Sequence, residues 1–443
     1  MQIVLIAPRH YQTEDMTYEP LRKAVSPPLS LLTVAGLTPE KHEVRLLDEG
    51  LEEVPEDLEA DLVGITATTA AAPRAYEIAD RLRARGIPVV LGGIHPSALP
   101  EEALEHADAV VVGEAEGQWE QLLADFEAGE MKPVYRREGW GDLESVPSPR
   151  YDLVDPRRYF LPNAAQTTRG CPFDCDYCSV TTFFGRTYRT RRIEDVRADV
   201  EKMPPGPIVF VDDNIMGKPS YSKKLFSALR ELGRLWGSQA SVTMLKTPEL
   251  IAEAARSGCK ILFVGLETLS QTNLAAVGKG FNVVGMYREL VRRLHDHGIS
   301  IIASFMFGLD DDDPDVFDRT LEFVLANKID SCMFSILTPL PGTRLFDRLH
   351  REGRILDTDW RHYDGAHVTF RPANMTPEQL LEGYHRAYAQ LYSMGSILRR
   401  AMGRMGFTRS YWLLNIIWRK YVTNWLRGLG THPGVPAAAP VNK

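Results

Sequence analysis

Gly170-Cys171-Pro172-Phe173-Asp174-Cys175-Asp176-Tyr177-Cys178 sets three thiols on one short loop, with three residues and then two between them. Three thiolates so spaced can ligate three corners of a cubane iron-sulfur cluster and leave the fourth iron without a protein ligand. Fully ligated clusters use four cysteines. The other two cysteines, Cys259 and Cys332, stand alone far along the chain. A zinc knot needs a fourth Cys or His at short spacing, and none follows Cys178 for dozens of residues. An open metal position is where chemistry happens, by the logic that separates catalytic from structural zinc.

Around that loop the hydrophobic pattern is α/β. Downstream and immediately before it, strand-like runs are expected at 166–168, 208–212, 240–244, 261–265, 301–307 and 332–337. Helical periodicity fills the gaps at 193–202, 222–232, 248–257, 286–297 and 314–326. Six βα units closing partway predict an incomplete (β/α)6 TIM barrel over residues 163–371, with its active face at the C-terminal ends of the strands. The cysteine loop follows the first of them, as that rule requires. Upstream, buried-type runs at 3–6, 44–48, 62–66, 89–92 and 109–112 alternate with helical stretches such as 72–85. That pattern predicts a doubly wound, Rossmann- or flavodoxin-like sheet over residues 1–130. Residues 131–162 break into Pro, Gly, Trp and charge and read as a linker, and residues 372–443 read as a helical extension.

Composition suits a globular protein of two or three domains: 443 residues, 44% hydrophobic and 25% charged. Five cysteines without a disulfide-like framework point to a reducing cytoplasm. The apolar start ends at Pro8, Arg9 and His10 and reads as a first strand rather than a signal peptide. No run approaches the ~20 apolar residues needed to span a bilayer. Charge is uneven. No acid follows Glu382 while nine Lys or Arg do, which leaves 42 basic against 59 acidic side chains, or −17, before that point.

With Tyr177 placed just before the third cysteine, the pattern resembles the signature of the radical S-adenosylmethionine enzymes. The resemblance implies a 4Fe-4S cluster on Cys171, Cys175 and Cys178, and an open iron chelated by the amino and carboxyl groups of S-adenosylmethionine. One electron from the cluster then splits that molecule into methionine and a 5'-deoxyadenosyl radical. It also implies roles at the strand ends. Tyr177 would contact the adenine; Asp212 and Asp213 would bind the amino group or orient substrate; Gly265 and Glu267 would approach the methionine or ribose, with Ser241 near the same ligand. The plainer alternatives are an aromatic residue packing the loop and aspartates capping the next helix.

Ser26-Pro27-Pro28-Leu29-Ser30-Leu31-Leu32, Thr66-Ala67-Thr68-Thr69, Gly92-Gly93-Ile94-His95 and Gly113-Glu114-Ala115-Glu116-Gly117 sit where a doubly wound sheet binds ligands. They resemble the cobalamin-binding domain that precedes the radical core in one large subfamily. The resemblance implies cobalamin held by Pro28, Leu29, Thr66, Thr68, Gly92, Gly93, His95, Gly113 and Glu114. The D-x-H-x-x-G cobalt-ligand motif is absent, so the cobalt would carry no protein histidine; a domain that has lost its cofactor is the alternative. His95 fits a contact to the corrin or its nucleotide tail, or else caps local backbone.

Three further features are less specific. Asp310-Asp311-Asp312-Asp313 has no EF-hand spacing and reads as a helix start. Arg186, Arg189, Arg191 and Arg192 either steer an anion or form a solvated, salt-bridged helix start. Tyr411, Leu414, Trp418, Tyr421 and Trp425 recur on one face of a basic helix, which either packs over the barrel mouth or lies on an anionic membrane.

Together these features give the expected function: a cobalamin-dependent radical C-methyltransferase acting at an unactivated carbon of a small-molecule or lipid substrate, a polycyclic terpenoid among the candidates. Its reductant would be of flavodoxin or ferredoxin type, with no nucleic-acid partner and a cytoplasmic location, at the membrane if the helix binds lipid. Ring formation or rearrangement without methyl transfer is one alternative, and a non-catalytic electron-transfer or regulatory protein is the other.

Overall fold

The structure is a computed structural model that describes residues 1–9, 23–144, 146–402 and 409–427; His10 and residues 428–443 of the expected helical extension lie outside them. The chain divides into two compact units. The first holds the described residues of 1–172 together with 179–213, and the second holds 173–178 and the described residues from 214 onward.

In the first unit, β1 (Gln2–Ala7), β2 (Glu43–Asp48), β3 (Leu62–Thr66), β4 (Val89–Gly92), β5 (Ala109–Val112) and β6 (Val134–Arg136) form one sheet in the order β2-β1-β3-β4-β5-β6. Every pair is parallel. The inner strands β1, β3, β4 and β5 are apolar runs buried on both faces, as a doubly wound sheet requires, while the edge strands β2 and β6 are partly exposed. One face packs Ile65, Tyr76, Ile78 and Leu91, and the other packs Leu5, Leu31, Trp119 and Leu122. The sheet runs past residue 130: β6, inside the stretch expected to be a linker, pairs with β5. Beyond it, β7 (Ala164–Ala165) pairs in parallel with β10 (Ile208–Phe210). Between them β8 (Thr168–Arg169) and β9 (Arg189–Thr190) make a short antiparallel ribbon.

The second unit carries β11 (Trp236–Ala240), β12 (Cys259–Glu267), β13 (Ser300–Phe307) and β14 (Ser331–Ile336), again all parallel. The third strand of the barrel series thus differs from its expected position at 240–244. Residues 242–246 form a 3-10 turn, and Ser241 stands just past the strand's C-terminal end rather than near its start. The cause is Ser238 and Gln239, which interrupt the apolar run while the backbone still pairs with β12.

The C-terminal extension contributes helices Pro377–Leu391, Met394–Ala401 and Arg409–Leu426. Tyr392 accepts or donates at Ser331 Oγ (2.8 Å) and donates to the Cys332 carbonyl (2.8 Å). Arg400, wholly buried, donates to the carbonyls of Ile329, Asp330 and Leu391. Most of the aromatic face expected on the last helix is consumed by this packing. Tyr411 and Trp425 are buried, and Trp418 stacks on Tyr392 with ring centroids 5.8 Å apart. Tyr421 instead stays exposed with Ile416, Ile417 and Leu426. No described helix is long and apolar enough to cross a membrane.

Candidate active site

The first unit encloses a cavity of about 270 Å³ between the sheet and helix Leu29–Leu37. Leu29, Thr66, Gly92, Gly93, Gly113 and Glu114 of the sequence-derived set line it. Leu5, Val34, Leu37, Val90, Val111 and Trp119 make its walls apolar. Gly64 and Gly92 leave the strands bare where it reaches them. Gly93 has φ +99°, and a Cβ there would stand 2.7 Å from Thr66 Oγ1, so only glycine lets the two loops close together. The polar end is ionic. Glu114 pairs with Arg169 (3.1 Å) and Arg189 (2.6 Å), and Arg169 also pairs with Glu116 (2.6 Å). Burial raises Glu116, but its bonds to Arg169 prevail and hold its carboxyl below the ordinary value.

Pro28, Thr68 and His95 do not line the cavity. The Pro28 carbonyl accepts from Leu31 and Leu32 N–H at the start of the first helix, and Thr68 precedes the turn Thr69–Ala71. His95 is wholly buried, with Nε2 3.1 Å from Glu102 Oε1, which also accepts from the Tyr76 hydroxyl. Trp119, Arg169 and Phe184 line the cavity but escaped the sequence reading. An apolar cavity of this volume between the sheet and a helix, open to a polar rim, fits a flat heteroaromatic group such as the nucleotide base of cobalamin.

Also in the first unit, the Asp212 carboxylate is entirely buried and accepts from Thr167 N (2.8 Å), Thr167 Oγ1 (3.1 Å), Thr168 Oγ1 (2.9 Å) and Thr168 N. Burial pushes its pKa up to about 6, against those four donors. It therefore fixes the strand that leads into the cysteine loop. Asp213, half-buried, is likewise raised to about 6 by burial and accepts from the Gly170 amide.

The second unit holds the rest of the cysteine loop. Cys171, Cys175 and Cys178 are half-buried, whereas Cys259 and Cys332 are buried and inert, the Cys332 thiol pushed up to about 12 by burial. The Phe173–Cys178 segment is pressed by one stretch of chain, residues 277–281, which the sequence analysis did not single out. Phe281 stacks on Phe173 with centroids 3.6 Å apart. Asp176 N donates to the Val277 carbonyl at 3.1 Å, and Gly278, with φ +72°, lies against Asp174. Lys279 donates to the Tyr177 hydroxyl at 3.3 Å and pairs with Glu267. Glu267, at φ +68°, follows a register shift at the end of β12. Bulges and positive φ at strand ends recur next to active sites, where they aim a side chain. Asn282 Nδ2 donates to the Gly265 carbonyl (2.9 Å), and Asn214 Nδ2 to Ser241 Oγ (3.2 Å).

Among the described residues, no three His, Cys, Asp or Glu side chains converge closely enough to cage a single metal ion. The aspartate run is held otherwise: Asp310 pairs with Arg348 and Arg354, Asp312 accepts from the Gly308 and Leu309 amides, and Asp313 pairs with Arg319. The donor chemistry of the cysteine loop, three half-buried thiols spaced along one short segment, fits a thiolate-bound iron-sulfur cluster.

Comparison with known proteins gives the class. Residues 165–324 match the radical SAM superfamily, 22–123 the B12 binding domain, and 343–411 a domain of unknown function. The chain is 34% identical over 410 residues to the bacteriochlorophyllide d C-12(1)-methyltransferase of Chlorobaculum tepidum, covering 90% of this chain and 89% of that protein. It is 28% identical over 393 residues to the hopanoid C-2 methylase of Rhodopseudomonas palustris, with 85% and 73% covered. The structure of TsrM from Kitasatospora setae with cobalamin and a [4Fe-4S] cluster bound superposes with a TM-score of 0.66 at 16% identity, covering 96% of this chain and 99% of that one. At that identity the likeness concerns the fold.

The chain belongs to the cobalamin-binding radical S-adenosylmethionine methyltransferase family. It is an enzyme whose cofactors are a 4Fe-4S cluster, S-adenosylmethionine and cobalamin, and C-methylation fits its relatives better than cyclisation does.

Proposed function

We propose that this enzyme methylates an unactivated side-chain carbon of a tetrapyrrole macrocycle. The observation that carries the substrate class is the end-to-end match, at 34% identity, to a methyltransferase named for bacteriochlorophyllide d, against 28% for one named for a hopanoid. When bound, the cluster and S-adenosylmethionine supply the hydrogen-abstracting radical, and cobalamin supplies the methyl group. The protein's share is to hold, orient and keep dry. Cys171, Cys175 and Cys178 hold three irons. Tyr177, Ser241, Gly265 and Glu267 bind S-adenosylmethionine, with Asp212 and Asp213 steadying the loop from behind. Leu29, Thr66, Gly92, Gly93, Gly113 and Glu114 hold cobalamin, while Pro28, Thr68 and His95 shape the loops beneath it.

Residues 1–130 together with β6 would be the cobalamin domain, the rest of 131–162 the connection, 163–371 the radical core and 372–443 the extension. Electrons would come from a flavodoxin- or ferredoxin-type protein, in the cytoplasm. The exposed Ile416, Ile417, Tyr421 and Leu426, beside exposed Lys420 and Arg427 in a stretch without acids, support peripheral contact with an anionic membrane. Unchanged pelleting with phosphatidylglycerol vesicles after Ile416→Glu and Ile417→Glu would remove that part.

The decisive assay incubates anaerobically reconstituted enzyme with methyl-labelled S-adenosylmethionine and either a magnesium chlorin or a hopanoid. Label in the chlorin with release of 5'-deoxyadenosine supports the reading; label in the hopanoid alone overturns it.

A further inference from the structure

Lys279 stands where a charge is costly. Its side chain is 12% exposed, and a buried ammonium persists only when paired. Its Nζ donates to Glu267 Oε1 and, at 3.3 Å, to the Tyr177 hydroxyl oxygen. The Tyr177 hydroxyl in turn is hydrogen-bonded to Cys175. The position is set by backbone as well as by charge. Val277 accepts from Asp176 N, a Cβ added at Gly278 would stand 3.6 Å from the Cys175 Cα, and Phe281 stacks on Phe173. A Cβ at Gly265 would stand 2.8 Å from Nζ, so β12 is kept bare to admit the lysine. The ion pair with Glu267 is what lets an ammonium stay in so enclosed a place.

We propose that Lys279 is a positioning residue for the iron-sulfur cluster: its ammonium, relayed through the Tyr177 hydroxyl to Cys175, offsets thiolate charge and raises the cluster's reduction potential. The inference rests on the reading that Cys171, Cys175 and Cys178 hold that cluster. One-electron reduction by an external donor adds one negative charge to a site already carrying three thiolates. A fixed cation and hydrogen bonds to the sulfurs stabilise the reduced form more than the oxidised one. Glu267 works in the opposite sense and anchors the lysine. The lysine is therefore tuned from two sides: towards the sulfurs it acts as a charge, and towards β12 it is held as one half of an ion pair.

The test is an EPR-monitored redox titration of full-length, anaerobically reconstituted protein with dithionite. Lys279→Met is expected to lower the reduced-to-oxidised ratio about tenfold at a fixed potential, about 59 mV for one electron, while Lys279→Arg stays within about twofold of the parent. A cluster-loaded Lys279→Met with the parent's potential overturns the inference. Should Lys279→Met assemble no cluster, Tyr177→Phe, which removes the relaying hydroxyl, decides: a lowered potential supports the proposal and an unchanged one overturns it. A parent protein that assembles no cluster, or a Cys171→Ala variant that keeps a full one, would instead defeat the underlying reading.

Discussion

The Tyr388 hydroxyl closes on the backbone of Phe334, donating to its carbonyl at 2.9 Å and accepting from its amide at 3.0 Å. Phe334 lies in β14, which pairs with β13 on one side only. On its open side Cys332 O is met by Tyr392, Phe334 by Tyr388, and Ile336 N by the Gly365 carbonyl at 2.7 Å. An exposed strand edge invites pairing with other chains. Here the Cys332 and Phe334 groups of the edge are answered by tyrosines of the extension, and the Ile336 amide by Gly365 in the loop ahead of it. The extension therefore completes the second unit rather than decorating it.

Replacing Tyr388 by Phe keeps the ring and removes only the hydroxyl. Both Phe334 groups are then left buried and unpaired, at about 1–3 kcal/mol for such a loss. Urea unfolding should show a lower midpoint at unchanged slope. A midpoint equal to the parent's would mean that water replaces the hydroxyl and the edge is not sealed.

The doubly wound sheet was legible because its strands are short, continuously apolar runs, a pattern that survives without tertiary knowledge. The barrel strand ending at Ala240 was misplaced because Ser238 and Gln239 look like loop while their backbone is paired. The aromatic periodicity of the last helix holds for Tyr411, Trp418 and Trp425 but not for the exposed Tyr421, and its partner is invisible in sequence: Tyr384 and Tyr388 on a separate helix, with Tyr392 at its C-cap, take Trp418 and Trp425. Lys279 could not be found from sequence, since its meaning lies in a contact with Tyr177, 102 positions away. The one local signal was Val277-Gly278-Lys279-Gly280-Phe281, a cation between two glycines just after a short helix.

Asp312 carries a pH dependence whose sign can be worked out. Burial raises it to about 7, against the Leu309 and Gly308 amides and Arg319, with Asp311 adding to the rise. The folded state thus holds a proton that the unfolded chain has released between about pH 4 and 7. Stability attributable to this group is greatest at low pH and falls as pH rises through that window. Asp312→Asn, which keeps an acceptor for the two amides, should flatten the fall in melting temperature between pH 5 and 8. An unchanged profile would place the titration elsewhere, at Asp212 or Asp213.

Val34→Trp puts a large side chain into the apolar cavity from helix Leu29–Leu37. The cavity holds about 270 Å³, so an indole would occupy much of the room needed by a bound heteroaromatic ring. Cobalamin retained after reconstitution and desalting, read from its absorption bands, should fall at least tenfold. Iron per chain should stay near the parent value, because the cysteine loop is built from other residues. Cobalamin retained at the parent level would show that the cofactor does not enter this cavity.

Gly278→Ala tests whether the cysteine loop must be clamped before iron arrives. At φ +72° an alanine costs about 1–2 kcal/mol from backbone strain alone, and its Cβ would fall 2.6 Å from the Asp174 carbonyl oxygen. Both penalties are relieved if Val277 and Phe281 pull away from Asp176 and Phe173. Loosening those contacts frees the loop that carries Cys175 and Cys178, while the strands and the core of the second unit are untouched. The expected result is a modest loss of melting temperature with a several-fold loss of iron bound per chain after reconstitution. Recovery of full iron at the parent's rate would show that the thiols organise around the metal without help from residues 277–281.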